Sequence, residues 1–217
     1  MALSKIQSES INLADTFAFT GTVSGAGAMQ LVSSSTATQT GLSSLEISLP
    51  TTNDFLALKL IVRGLKCQQT SNNHWRFRFR SQGGSVITSA SYNYLMTSVY
   101  SNDSGKDSVE KSDLNAGEIQ FSGYVGDGSD DSEMTSMEFD IHNSATSGRY
   151  TRGFCKKTVE KRHNDTYHYG DTGSFQVSSS AVLDLIQIEV NSNPPFTTYG
   201  YALYKVMVLS LIHISEP

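Results

Sequence analysis

Three groups of residues have types and spacings that could do chemistry. Asp127, Asp130, Asp131 and Glu133 cluster in GDGSDDSE, and closely spaced carboxylates suit a hard divalent cation, which takes oxygen ligands. The cluster lacks the alternating ligands and the terminal bidentate Glu of an EF-hand, so a solvated acidic turn explains it as well. Asn102, Asp103 and Asp107 have the same two readings. A second group, KRHNDTYHYGD at 161–171, gathers His163, Asp165, His168 and Asp171. Imidazole with carboxylate suits a transition metal, yet the two histidines share a side only in a helix or tight loop, and no third ligand stands out. A polar hairpin tip is the alternative, and the cationic run before it, Lys156, Lys157, Lys161 and Arg162, reads as a solvated strand face.

The third group is three tyrosine doublets, Tyr92/Tyr94, Tyr167/Tyr169 and Tyr199/Tyr201. Residues two apart on a strand share a face, so each doublet offers two rings with hydroxyl tips, suited to stacking sugars, to a subunit interface or to core packing. Tyr92, Tyr94, Tyr167 and Tyr169 are the candidate glycan or interface contacts. Tyr92/Tyr94 is expected to be the surface pair, because Asn93 and the polar SNDSG turn lie near it. No G-x-S-x-G elbow is present, and a catalytic carboxylate pair would come from distant strands that sequence does not bring together. No catalytic residue, cofactor or metal ligand is therefore assigned, and the chain is read as a non-enzyme.

The elements that position these groups are strands. Trp75, Phe77 and Phe79 alternate with Arg76, Arg78 and Arg80, and this period of two gives one buried and one wet face. The same alternation runs through Leu45 to Leu49, Leu56 to Val62, Ile119 to Tyr124, Met137 to Ile141 and Leu183 to Val190. It predicts about ten strands between Gly41 and Val208, separated by turns rich in Gly, Asn, Asp and Ser. With no helical intervals, an all-β fold of two antiparallel sheets is expected, a jelly-roll-like β-sandwich; pattern alone leaves a closed barrel open. Residues 1–40 differ. From Thr20 to Thr40 they are mostly Gly, Ser, Ala and Thr, which predicts an extended N-terminal attachment arm, with the sandwich at 41–209. SLIHISEP at 210–217 reads as translated adapter sequence, a non-native tail.

Composition narrows the function. The chain has 217 residues, 33 Ser and 19 Thr among them, and only 17% charged residues, a balance that favours strands and turns over helices. Sixteen Lys and Arg against 21 Asp and Glu give a net charge of −5, which opposes a nucleic-acid surface. Cys67 and Cys155 stand far apart outside any metal spacing, which fits assembly in a reducing cytoplasm. Neither a secretory leader nor an apolar stretch of about 18 residues is evident, so no membrane partner is expected.

The opening MALSKIQSESINLADTFAFTGTVSGAG resembles the N-terminal leader of virion structural and tail-fibre-like proteins of marine, cyanophage-like tailed phages. The body is similar to the same group at Asp54-Phe55, WRFRF, the GG turn before YNY, SGRY and the closing YGYALYKV. It departs from them at Lys205, where such proteins have Gly. The resemblance implies a non-enzymatic sandwich in the virion, assembled in the host cytoplasm and held to other virion proteins by the arm. It further implies a homo-oligomer, a trimer, whose distal loops touch a host surface glycan.

Overall fold

The computed structural model describes residues 29–37, 42–67, 74–102, 105–124, 134–159, 168–191 and 195–207. Twelve strands run through them: β1 Met29–Ala37, β2 Ser44–Ser48, β3 Ala57–Cys67, β4 His74–Ser81, β5 Tyr92–Asn102 and β6 Gly105–Ala116, then β7 Ile119–Tyr124, β8 Thr135–His142, β9 Thr151–Val159, β10 His168–Val177, β11 Leu183–Val190 and β12 Phe196–Val206. The larger sheet has the order β1-β12-β3-β8-β9-β10-β5-β6 and the smaller β2-β11-β4-β7. Every strand pair is antiparallel. The protein is an all-β sandwich, as the alternation predicts.

The topology separates into a frame and an addition. Without β5, β6, β9 and β10, the order is β1-β12-β3-β8 over β2-β11-β4-β7. The chain then changes sheet at every connection except β4 to β7, which is a jelly roll. The remaining four strands are two hairpins, β5–β6 and β9–β10. Both lie beyond β8, where β10 joins them by pairing with β9 on one side and β5 on the other.

The core lies between the sheets. Trp75, Phe77 and Phe79 are fully buried, as are Leu58, Leu60, Val62, Met137, Phe139 and Ile141 opposite them. Phe77 of the smaller sheet meets Phe139 at 4.9 Å and 76°, and Phe175 at 5.2 Å and 79°. These edge-to-face contacts each add about 0.5–1.5 kcal/mol beyond the burial of area. Trp75 donates its indole N–H to Thr135 Oγ1 at 3.1 Å, so the largest core side chain leaves no donor unmet.

The arm differs from its expectation over the part described. Met29–Ala37 is β1, paired along β12 from Met29 opposite Val206 to Ala37 opposite Tyr199, so the folded body starts before Gly41. A Ser/Thr-rich segment buries little apolar area, but an existing sheet edge supplies hydrogen bonds that order it as a strand. Residues 1–28 and the 210–217 tail lie outside the described residues.

Candidate functional site on the outer face of the added hairpins

The tyrosines expected at the surface are not there. Tyr92 is 0% exposed and Tyr94 7%, so neither ring can stack on a sugar. The inward phase of β5 runs through Tyr92, Tyr94 and Met96, which leaves Asn93 and Leu95 to face outward. The Tyr92 hydroxyl accepts the Phe79 N–H at 2.9 Å and donates to the Ile87 carbonyl at 3.0 Å, tying the start of the β5–β6 hairpin to β4. Burial pushes both phenols up to about 12. Tyr199 and Tyr201 are half-buried against the core. The Tyr169 backbone pairs with Tyr100 and Val159; Tyr167, the 127–133 loop, His163 and Asp165 lie outside the described residues.

The cationic run is corrected at one position. Lys156 is exposed, but Lys157 is 1% exposed and points between the sheets. The phase of β9 is set by Thr151, Gly153 and Cys155 facing in, and the next inward position falls on Lys157. Its Nζ lies 2.6 Å from Asp171 Oδ2, both side chains being fully buried, and 5.4 Å from the Phe121 ring centre. Burial pulls the ammonium down from its usual range, and Asp171 opposes that pull. Asp171 thus serves a buried ion pair. Among the described residues no three His, Cys, Asp or Glu side chains gather to hold a metal ion.

While charge points inward, apolar side chains point out. Leu95, Val99, Leu114 and Phe154 are exposed by 50%, 54%, 76% and 62%, all on the added hairpins. Leu95, Leu114 and Phe154 border an open depression of about 830 Å³ across β6, β5, β10, β9 and the end of β8. Ser174 sits opposite Leu95 on one side and Phe154 on the other. With neighbouring strands about 4.8 Å apart, the two apolar side chains stand about 10 Å from each other over a serine floor. Beneath the floor, on the inner face, Gly153 and Gly173 leave room for core side chains: a β-carbon on Gly153 would overlap the Phe175 ring, and one on Gly173 the Met96 sulfur.

One end of this slot is a prearranged polar row. Asn93, Gln176, Arg152 and His142 are successive cross-strand neighbours. Gln176 Oε1 accepts from Arg152 Nε at 3.0 Å, and Gln176 Nε2 donates to Ser178 Oγ at 3.4 Å. Asn93 donates to the same Ser178 oxygen at 3.3 Å and accepts the Asn115 N–H at 2.9 Å. Arg152 is therefore held at Nε, and its two Nη groups bond to nothing among the described residues.

The outer face of the smaller sheet is the opposite case. Arg76 Nη1 lies 2.9 Å from Glu118 Oε2 and its Nε 3.0 Å from Glu189 Oε1; Arg78 reaches the same two carboxylates, 2.7 Å from Glu189. Arg80 Nε lies 2.8 Å from Asp184. Burial raises the Glu118 carboxyl, but the Gln120 hydrogen bond with Arg76 and Arg78 outweighs it and leaves the group below its usual range. Every guanidinium there has a carboxylate.

Sequence reasoning missed Phe154, Leu95 and Arg152. A signal for them was present in TRGFCKK, where Phe154 shares its strand phase with Arg152 and Lys156 and so places a ring on a cationic face. No family model matches this chain, and no curated protein or solved structure is significantly similar to it.

Proposed function

We propose that this chain is a structural protein of a tailed-phage virion, a tail-fibre or host-adsorption component that acts by contact and not by catalysis. The observation that carries the reading is the outer face of the added hairpins. Apolar side chains, amides and a guanidinium whose Nη groups bond to nothing among the described residues stand ready there, while the opposite face neutralises its own charges. Contact surfaces combine apolar anchors with a polar surround in this way. The leader resemblance supplies the virion setting.

The sheet edges supply the means of joining copies into a homo-oligomer. Strand β6 carries Lys106, Asp107, Glu110, Lys111 and Asp113, charges that discourage strand addition. Strand β1 carries none and exposes Met29, Leu31 and Val32, so of the larger sheet's two edges it is the one open to another strand. The slot between Leu95 and Phe154 also favours a second reading, a cell-surface carbohydrate-binding module.

Gold-labelled antibody raised against the chain separates the two readings when applied to purified particles of a tailed phage carrying this gene. Label on the tail or its fibres is expected. Unlabelled particles with label confined to cell envelopes would overturn the virion reading and favour the module.

A further inference from the structure

We infer that the slot between Leu95 and Phe154 binds an acidic glycan, a sugar carrying a carboxylate, with the Arg152 guanidinium as the group that selects the charge. The inference rests on the reading that this face makes the contact, and it names the ligand class.

Charge points to it first. The molecule is net acidic at −5, yet the lining of the depression contains Arg152 and His142 and no Asp or Glu. Asp113, between the lining residues Ser112 and Leu114, stands opposite the inward-facing Tyr94, while on the other side Asp140, opposite Phe154, lies 3.3 Å from Lys59 Nζ, and Glu138 lies 3.8 Å from the same nitrogen. Asp140 and Glu138 are thus already engaged with a cation. Arg152 is held through Nε, so the two Nη groups remain for a planar two-oxygen partner, and a guanidinium fork matches a carboxylate in that geometry. The preorganisation also lowers the entropy lost on binding.

Shape and neutral chemistry favour a sugar over an acidic peptide. A peptide that gains affinity by strand addition needs a free sheet edge, whereas the slot crosses β5, β10 and β9 inside the sheet. Its width of about 10 Å between backbones suits a single ring lying against Phe154. Asn93, Gln176 and Ser174 supply amides and a hydroxyl for ring hydroxyls.

Isothermal titration of the full chain tests this with oligo-uronate from alginate, sialyl-lactose, maltohexaose and poly-glutamate, using the native protein, Arg152→Gln and Phe154→Ala. One of the two carboxylated sugars should bind at least tenfold more tightly than maltohexaose. Arg152→Gln should weaken it tenfold or more, and Phe154→Ala should weaken every sugar. Both side chains are exposed, so unchanged melting curves will show that the variants fold. Equal binding of maltohexaose, unchanged uronate and sialoside binding by Arg152→Gln, or stronger binding of poly-glutamate would each overturn the acidic-glycan inference. If maltohexaose binds and only Phe154→Ala weakens it, the contact face stands and the charge selection falls. If no sugar binds, the inference fails, and the virion reading still answers to the gold label.

Discussion

Strands β4 and β8 of the jelly-roll frame and the two added hairpins obey opposite rules. In the frame, strands such as β4 and β8 alternate buried apolar with outward polar residues, and the outward charges find partners on neighbouring strands. In the hairpins, Lys157 and Asp171 are buried while Leu95, Val99 and Phe154 face solvent. Burying an ion pair gives little net stability, and exposing large apolar side chains gives none. A region that departs from local consistency in both directions is where function is to be sought. The frame supplies stability, and the hairpins use part of it to present a surface.

The sharpest break of this comparison is at the buried pair. Asp171→Asn should destabilise the protein by about 3–5 kcal/mol, because it strands a buried cation, whereas Lys157→Met with Asp171→Leu should come within about 1 kcal/mol of the native protein or exceed it. Urea denaturation measures both. A small loss for the single variant would mean that the hairpin interior is wet and the contrast with the frame is false.

The join between the regions is tested by pH. The Tyr92 phenol is raised to about 12 from an ordinary value of 10, so its contribution is fully present below pH 10 and is lost as pH rises through about 12. Two pKa units correspond to about 3 kcal/mol. Tyr94 is raised alike and titrates in the same window, so the fall in stability should be larger in the native protein than in Tyr92→Phe by about the amount of one phenol, read as the urea midpoint at each pH. The smallest effect belongs to the outer face. Phe154→Ala should change stability by less than about 0.5 kcal/mol, since a 62% exposed ring contributes little to the core. A larger loss would make Phe154 a structural residue.

Sequence was most informative where one phase dominated. Trp75, Phe77 and Phe79, then Met137, Phe139 and Ile141, announced the frame strands and their inward faces, and composition with turn spacing gave the class. The hairpins were less legible because no strong apolar series fixes their phase: in TRGFCKKTV the inward residues are Thr151, Gly153, Cys155 and Lys157, small or charged. The same ambiguity misled the reading of Tyr92 and Tyr94, whose polar neighbours suggested exposure although a tyrosine can bury its ring once its hydroxyl finds a partner. The arm was misread for another reason. Composition predicts whether a segment can order itself, and the edge of β12 orders it from outside.

Adjacent residues on β9 offer the most direct test of whether the hairpins are inverted. Native protein treated briefly with acetic anhydride and mapped by mass spectrometry should be modified at Lys156 and protected at Lys157, with Lys157 reacting only after denaturation. Equal modification of both lysines in the folded protein would contradict the account.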